Sequence, residues 1–304
     1  MAVYTKVSNE ALIEFVSAYN IGTVSSCVGI AEGVENTNYK LSTSTGHYIL
    51  TLYEKRVNSK ELPYFLKLME HLSEHDIPCP LPLHAKDGYL YRLLCDRPAA
   101  IFTFLPGEWP RVITPDHNRE LGIWLARLHK AGEDYTGHRD NDLALASWRP
   151  LLEKCDAQAT NELSNGLYEE LKAELDYLEL HWPKDLPRGT IHGDLFADNV
   201  FFSGSKISGM IDFYFACNDT YAYDLAICLN AWCFDDENQF IGDRAKHLLN
   251  GYYTERTCQR VELEALPILA RGSALRFLLT RLYDWVNTPE DAHVVRKTPS
   301  EFLT

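Results

Sequence analysis

The chain reads GTIHGDLFADNVFF over residues 189–202 and IDF over residues 211–213. His192 precedes Asp194 by two positions, Asn199 follows Asp194 by five, and Asp212 lies thirteen residues beyond Asn199. The helical spacing of apolar residues disappears in this stretch, and short β-rich runs replace it. The pattern predicts a strand, a tight loop that begins at Asp194, and a β-hairpin through Gly204 that returns Asp212 to the loop.

The spacing of these side chains is that of a kinase catalytic loop. Phosphoryl transfer needs a carboxylate that orients the attacking hydroxyl and accepts its proton, and oxygen ligands for a Mg²⁺ that bridges the nucleotide phosphates. Asp and Asn are also common in ordinary turns, but the ordered set of His192, Asp194, Asn199 and Asp212 favours a function. A metallohydrolase would need more ligands near His192. We therefore expect His192 to brace the loop by hydrogen bonding.

Composition limits the class of protein. The chain has 304 residues, 46% of them hydrophobic and 24% charged, which is typical of a globular protein of one bilobed chain or two domains. With 29 basic and 43 acidic residues the net charge is −14, which disfavours a nucleic-acid partner. No apolar run approaches the ~18 residues of a membrane span. The stretch Met1 to Gly22 is amphipathic and charged rather than a secretory signal, so we expect a cytoplasmic protein.

The eight cysteines indicate neither a disulfide framework nor a zinc site, because no CxxC pair occurs. We expect ordinary buried thiols.

The first third of the chain is strand-rich. Ser8 is a candidate N-cap for a helix that ends near Tyr19. Further elements follow as a meander, a helix and two more strands: strands at 24–30, 38–42 and 48–53, a helix at 59–75, and strands at 89–94 and 99–105. Pro106-Gly107 then marks the boundary between an N-terminal lobe at 1–105 and a C-terminal lobe at 106–304.

The second lobe is mainly helical. Thr114 and Pro115 predict a helix start. Apolar spacing predicts helices that include residues 121–128 and 167–178, and others at 221–232, 235–253 and 261–286, the last with a break or kink at Pro267. The predicted fold class is therefore α+β, with a small antiparallel-sheet lobe that carries a helix and a larger, mostly helical lobe.

The motif HGDLxxxN with the later IDF resembles the aminoglycoside phosphotransferase and choline kinase superfamily, the small-molecule relatives of protein kinases, over nearly the whole chain. Within that superfamily the chain resembles the pseudomonad-type homoserine kinases, on the residues GVENTNY (33–39), YILTLYE (48–54), IDFYFACN (211–218) and YDLAICLN (223–230). The resemblance implies a bilobed, protein-kinase-like fold and ATP-dependent phosphorylation of L-homoserine to O-phosphohomoserine, a step of threonine biosynthesis.

The resemblance also implies roles for individual residues. Asp194 becomes the catalytic base, and Asn199 and Asp212 become ligands of Mg²⁺. Residues around 29–38 lie over the ATP phosphates, with Gly33, Asn36, Thr37 and Asn38 as candidates. The stretch 101–105, which includes Phe102 and Phe104, becomes the hinge at the adenine, and Phe201 contributes to the apolar floor of its pocket.

The third strand departs from the family pattern. Thr51 stands where a Lys or Arg usually holds the α- and β-phosphates, and a hydroxyl carries no charge. Lys55 shares the face of Thr51 but lies roughly 13 Å further along the strand. We hypothesise that Lys55 or Arg56 supplies part of the missing charge, although a solvated Lys at a strand end is the simpler interpretation.

Homoserine carries a carboxylate, for which an arginine fork is suited. In the last helix Arg271 and Arg281 fall on the same helical stripe as Leu278, so both are candidates for the substrate carboxylate. An internal ion pair, for example with Asp224, is the competing interpretation. Arg276 lies on the other side and is expected to be solvated. Tyr214 follows the metal motif and is a candidate for lining the substrate pocket.

Three alternatives stay open. Choline would need an aromatic cage without a carboxylate clamp, and an aminoglycoside would need an open acidic surface. The missing cation at Thr51 would also suit a nucleotide-binding pseudokinase that acts as an interaction module, although the complete set of Asp194, Asn199 and Asp212 argues against it.

Overall fold

The computed structural model describes residues 5–30, 36–54, 58, 60–287 and 298–299. The chain divides into two compact units. Unit 1 contains Met1–Gly107 and Ser208–Ile211, and unit 2 contains Glu108–Ile207 and Asp212–Ala292.

Unit 1 is built on a five-stranded antiparallel sheet with the order β1-β2-β3-β5-β4. Its elements are α1 (Asn9–Ser17), β1 (Val24–Gly29), β2 (Thr37–Thr43), β3 (Gly46–Leu52), α2 (Leu62–Glu74), β4 (Arg92–Leu94) and β5 (Arg97–Thr103). Each strand overlaps one of the predicted runs. The hydroxyl of Ser8 accepts a hydrogen bond from Ala11 N at 3.2 Å, which confirms the predicted N-cap of α1.

The core of unit 1 lies between α1 and the sheet. Leu12, Phe15 and Val16 of α1 join a cluster with apolar side chains of β2, β3 and β5. Among these, Leu41, Leu50 and Ile101 are completely buried. Because alternate strand residues share a face, the opposite side chains of β2 and β3 are free to build a polar site.

Unit 2 is mostly helical. Its helices are α3 (Pro115–Ala131), α4 (Leu145–Glu153), α5 (Ala157–Leu163), α6 (Leu167–His181), α7 (Tyr221–Trp232), α8 (Gly242–Tyr253) and α9 (Arg260–Asn287). The strands β6 (Arg188–Ile191) and β9 (Cys217–Thr220) form an antiparallel pair. The strands β7 (Val200–Ser203) and β8 (Lys206–Met210) form the predicted hairpin through Gly204.

Two helix predictions are corrected. α8 begins at Gly242 rather than near Asp235, because the Asp235 carboxylate accepts hydrogen bonds from the backbone N of Glu237 and Gln239, at 3.0 and 2.8 Å, and closes a turn. α9 runs through Pro267 to Asn287, so the break that was one of the two predicted alternatives does not occur, and the predicted kink stays untested.

Four helices of unit 2, α4, α5, α6 and α7, pack against α9. Its buried side chains join a cluster with residues of α4, α6, α7 and β6, and α9 contacts α5 as well. α3 crosses α8 closely, since a Cβ atom at Gly122 would lie 2.0 Å from the carbonyl oxygen of Leu248. This close crossing brings the C-terminal end of α3 against the C-terminal end of α8, where His129 contacts Tyr252.

Six of the eight cysteines are buried free thiols, as predicted, whereas Cys27 is half-buried and Cys95 is exposed.

In the part of the chain that the structure describes, each helix is too short or too polar to cross a membrane.

Candidate active site

The predicted catalytic loop and the segment 212–216 meet at one end of the β6–β9 pair. Ile191 of β6 is paired with Cys217 of β9, so the residues that follow Ile191 and those that precede Cys217 lie side by side. The rings of His192 and Phe213 pack with centroids 4.7 Å apart. Asp212 is therefore returned to the loop that carries Asp194, in agreement with the prediction from spacing.

Gly193 is required by this close approach. Its φ of +75° lies in the left-handed region, and an added Cβ atom would lie 3.0 Å from the carbonyl oxygen of Phe215. A side chain here would combine backbone strain with a contact against rigid backbone. The glycine of the HGD motif thus allows the loop to pack against the segment after Asp212.

Asp194 and Asn199 hold each other in place. The Nδ2 atom of Asn199 donates to the backbone oxygen of Asp194 at 2.9 Å and lies 3.5 Å from its Oδ2 atom. Because a carbonyl only accepts hydrogen bonds, the NH₂ group of Asn199 must face the loop, and its Oδ1 atom must face away. That orientation leaves an oxygen available for a cation.

Asp212 adopts a φ of +66°, in the left-handed region, at the end of the hairpin. Asp tolerates this region better than most residues, and strained backbone is frequent where a side chain must be aimed. Asp212 and Asn199 together offer hard oxygen donors, which is the donor set that Mg²⁺ prefers. The residues present therefore fit the expected metal.

A buried carboxylate beneath the loop was missed by sequence reasoning. Asp224 of α7 is completely buried. It accepts hydrogen bonds from the backbone N of His192 and Gly193 at 2.8 and 2.9 Å, and from His129 Nε2 at 3.0 Å. His192 Nδ1 in turn accepts from the backbone N of Asp194 at 3.3 Å, which is the bracing role expected for His192. The loop is thus fixed through its backbone rather than through its reactive side chains.

His129 links Asp224 to α8. Burial lowers the pKa of His129 although Asp224 opposes the shift, so the ring is neutral at neutral pH. Burial would raise the pKa of Asp224, but hydrogen bonds from His129 and the loop backbone lower it overall. A neutral ring that donates from Nε2 to Asp224 accepts at Nδ1, where the Tyr252 hydroxyl lies at 2.7 Å. The sequence signal for Asp224 is that it is the one charged residue of the largely apolar helix α7, whereas His129 lies among other polar residues of α3 and has no such signal.

Two of the predicted arginine positions in α9, those of Arg271 and Arg276, are wrong. Arg271 is exposed and pairs with Glu174, and Arg281 is half-buried with Nη1 at 3.5 Å from the backbone oxygen of Thr298. Neither forms the expected pair with Asp224. Arg276, expected to be solvated, is only 4% exposed, and its Nη1 lies 3.4 Å from Asp194 Oδ1. The physical reason is that α9 is packed on several sides, so its arginines do not follow one amphipathic stripe.

The predicted nucleotide-binding residues of unit 1 are partly described. Thr51 of β3 is buried opposite Asn38 of β2, and its hydroxyl donates to Asn38 Oδ1 at 2.7 Å. Thr37 is also buried, and its hydroxyl donates to Glu54. Asn36 is buried, and its Oδ1 atom has no hydrogen-bond partner in the described ranges. Gly33, Lys55 and Arg56 lie outside the described residues.

Glu54 lies with Thr37 on the other face of the sheet from Thr51 and Asn38, because adjacent strand residues point to opposite faces. Its Oε1 atom accepts from the hydroxyls of Thr5 and Thr37 at 2.7 and 2.8 Å, and its Oε2 atom from Arg97 Nε at 3.0 Å. Burial would raise the pKa of Glu54, but these hydrogen bonds and the Arg97 charge lower it overall. Glu54 is thus a structural carboxylate that ties β2 to β5.

The remaining candidates are apolar or aromatic. Phe102 is buried in β5, whereas Phe104 is 40% exposed and has Lys40 Nζ 4.8 Å from its ring centroid. Phe201 of β7 and Tyr214, within the short 3₁₀ turn Phe213–Phe215, are half-buried. Their proposed contacts with adenine and substrate stay predictions.

Comparison with known proteins defines the family. Residues 26–258 match the model of the "Phosphotransferase enzyme family". The chain belongs to this phosphotransferase family. The expected enzyme class, an ATP-dependent small-molecule kinase, is confirmed by that membership.

Relatives within the phosphotransferase family cover the whole chain. The homoserine kinase of Paramagnetospirillum magneticum (strain AMB-1) is 56% identical over 99% of this chain and 94% of its own length. The homoserine kinase of Rhizobium meliloti (strain 1021) is 54% identical over 100% of this chain and 93% of its own length. The resemblance to homoserine kinases noted from the sequence is confirmed.

Solved structures of phosphotransferases share the fold. A spectinomycin phosphotransferase in complex with ADP and spectinomycin superposes with a TM-score of 0.73 and 15% identity, covering 98% of this chain and 94% of the other. The microcompartment-associated aminopropanol kinase gives a TM-score of 0.70 at 20% identity, covering 97% and 94%. The predicted α+β, kinase-like fold class is therefore confirmed.

Proposed function

We propose that the protein is an ATP-dependent homoserine kinase. The observation that carries this function is the similarity to homoserine kinases at 52–56% identity over the whole chain. In the reaction, the side-chain hydroxyl oxygen of L-homoserine forms a bond to the γ-phosphorus of ATP. The bond from that phosphorus to the β–γ bridging oxygen breaks, and the products are O-phosphohomoserine and ADP.

Asp194 is the proposed base. Its carboxylate orients the substrate hydroxyl and accepts the proton that is released as the new bond forms. The geometry supports this role because the Asp194 backbone is held by Asn199 Nδ2 and by His192, which leaves the carboxylate at the surface of a fixed loop. Positioning of this kind contributes most of the rate enhancement in phosphoryl transfer.

Asn199 Oδ1 and the Asp212 carboxylate would hold the Mg²⁺ ion. When bound, the ion neutralises charge on the β- and γ-phosphates. Holding that ion requires both side-chain oxygens to have a fixed orientation. The hydrogen bond from Asn199 to Asp194 orients Asn199, and the left-handed backbone conformation of Asp212 orients its carboxylate.

Unit 1 is the proposed source of the nucleotide contacts. Asn36 and Asn38 offer amide groups for the phosphates, Thr51 holds Asn38 in place, and Lys55 is the proposed source of positive charge. A cytoplasmic location and the absence of a nucleic-acid partner remain predictions from the sequence.

A coupled assay of ADP release tests the function. Wild-type protein is assayed with ATP, Mg²⁺ and, in turn, homoserine, choline, ethanolamine, methylthioribose and kanamycin. We expect turnover with homoserine alone. Turnover with another acceptor would reassign the substrate, and turnover with none would indicate a pseudokinase.

The same assay tests Asp194. We expect Asp194→Asn to lower kcat by about 10³-fold or more while ATP binding, measured by calorimetry, stays unchanged. Asp243→Asn, an exposed residue of α8 in unit 2, is the control for loss of one carboxylate. Loss of ATP binding in Asp194→Asn would contradict the base assignment.

A further inference from the structure

Arg276 is a buried cation next to the candidate base. It is 4% exposed, and its guanidinium carbon lies 3.9 Å from the ring centroid of Phe277 and 5.2 Å from that of Phe215. Two aromatic faces stabilise a guanidinium but do not replace a counter-charge. A buried arginine therefore needs a carboxylate or phosphate close by.

The carboxylate of Asp194 is a distant partner for the Arg276 guanidinium. Arg276 Nη1 lies 3.4 Å from Asp194 Oδ1, whereas a strong charge-assisted hydrogen bond has a length of about 2.7–2.9 Å. A guanidinium has five N–H donors in a planar fork. Within the described residues, Nε and Nη2 of Arg276 make no hydrogen bond to the protein. One edge of the fork is thus free to receive a second anion.

Two further polar groups near Arg276 also lack partners. Ser273, one turn earlier on the same side of α9, is completely buried, and its hydroxyl has no hydrogen-bond partner in the described part of the chain. The same holds for the hydroxyl of Tyr223 on α7. Burial raises the pKa of Tyr223, and the charge of Arg276 opposes that shift. Unpaired buried polar groups are rare and indicate a site for a polar ligand or water.

We propose that Arg276 binds the α-carboxylate of the amino-acid substrate, beside the base that receives the proton of its hydroxyl. This assignment rests on the proposed homoserine kinase function. In an extended homoserine molecule the hydroxyl oxygen and the carboxylate carbon are about 5 Å apart, by ordinary bond lengths. A guanidinium that touches Asp194 is therefore within reach of the carboxylate of a substrate whose hydroxyl contacts Asp194.

Binding of the substrate carboxylate by Arg276 can be distinguished experimentally from a role in which Arg276 only positions Asp194. If Arg276 only oriented the base, its loss would slow every acceptor alcohol equally. If it binds the carboxylate, its loss slows acceptors that carry a carboxylate more than acceptors that do not. The discriminating quantity is the ratio of kcat/KM for L-homoserine to kcat/KM for 3-aminopropan-1-ol, which is homoserine without its carboxylate.

We expect wild-type protein to prefer homoserine over 3-aminopropan-1-ol by at least about 10²-fold, since the amino alcohol leaves the guanidinium edge unpaired. In Arg276→Met we expect this ratio to fall by about 10²-fold, and in Arg276→Lys by less, because the charge remains without the fork. Arg260→Met, an exposed arginine of the same helix, is the matched control and should leave the ratio unchanged.

An unchanged ratio in Arg276→Met, with both substrates slowed alike, overturns the proposal and leaves Arg276 as a positioning residue. Equal use of both substrates by the wild type overturns it as well. If Arg276→Met turns over neither substrate, calorimetric binding of homoserine in the presence of a non-hydrolysable ATP analogue decides: weakened binding supports the proposal, and wild-type affinity overturns it. Failure of the homoserine kinase function is distinct, because the wild type would then not phosphorylate homoserine.

Discussion

His129 makes the stability of unit 2 depend on pH, and His129→Gln tests this. The glutamine side chain keeps a donor for Asp224 but cannot titrate, and it loses the hydrogen bond with Tyr252. At neutral pH we expect a loss of about 1–3 kcal/mol of unfolding free energy, because a buried hydrogen bond is broken and a hydroxyl loses a partner.

The pH dependence follows from the lowered pKa of His129 in the folded protein. In the unfolded chain its pKa is about 6.5, so below that pH the unfolded state binds a proton that the folded state does not. The contribution of His129 to the stability of the wild type therefore falls as pH falls, by at most about 1.4 kcal/mol between about pH 7.5 and pH 5.5. His129→Gln lacks this contribution, so its deficit relative to wild type should shrink by that amount.

Urea unfolding followed by tryptophan fluorescence measures the effect. All six tryptophans lie in unit 2, so the signal reports the unit that contains His129. Tyr252→Phe is the matched control, because it removes the same hydrogen bond but leaves His129 to titrate, and its deficit should not change with pH. Wild-type and His129→Gln curves that run parallel across this range would refute a neutral, buried His129.

Three further outcomes are expected. Asp224→Asn replaces one of the carboxylate oxygens that accept hydrogen bonds from the loop backbone by an NH₂ donor. We expect steady-state kinetics to show a kcat at least about 10-fold lower and an unchanged KM for ATP. A wild-type kcat would contradict the anchoring role of Asp224. In urea unfolding, Gly193→Ala should lower the free energy of unfolding by about 1–3 kcal/mol more than Gly204→Ala does. Both glycines have a positive φ, but only at Gly193 would an added Cβ atom lie 3.0 Å from a backbone oxygen. Equal losses would rule out the close contact. Glu54→Gln should speed hydrogen exchange of β2, β3 and β5 at neutral pH. This effect should shrink as pH falls below about 4.3, the pKa of an unperturbed Glu, because the lowered pKa of Glu54 stabilises the fold only while the carboxylate is ionised. An effect of the same size above and below that pH would contradict this.

Local features of the fold could be predicted from the sequence. The relation between Asp194 and Asn199 depends on five intervening residues, and the return of Asp212 depends on one hairpin. The helix start at Thr114 is equally local, because its hydroxyl accepts from His117 N and the His117 ring accepts from the Thr114 backbone. Interactions between residues so close in the chain can be predicted from the spacing of residue types in the sequence.

The support beneath the loop could not be predicted in the same way. His129 and Asp224 are 95 positions apart, and their contact depends on how α3, α7 and α8 pack. Sequence shows a polar residue within an apolar helix, which indicates a buried polar group but not its partner. The partners are fixed by tertiary structure. Packing of α3 against α7 brings His129 to Asp224, and the close crossing of α3 and α8 at Gly122 brings it to Tyr252.

The arginines of α9 show why periodicity fails for a central helix. A stripe of apolar residues identifies the buried side of a helix only when the opposite side meets water, and α9 contacts α4, α5, α6 and α7. The useful question for each arginine is then which anion can neutralise it. Glu174 neutralises Arg271 at the surface, whereas Arg276 has the carboxylate of Asp194 at 3.4 Å. A cation buried beside the proposed base is suited to a substrate carboxylate, so under our proposal its contribution is expected in substrate selectivity.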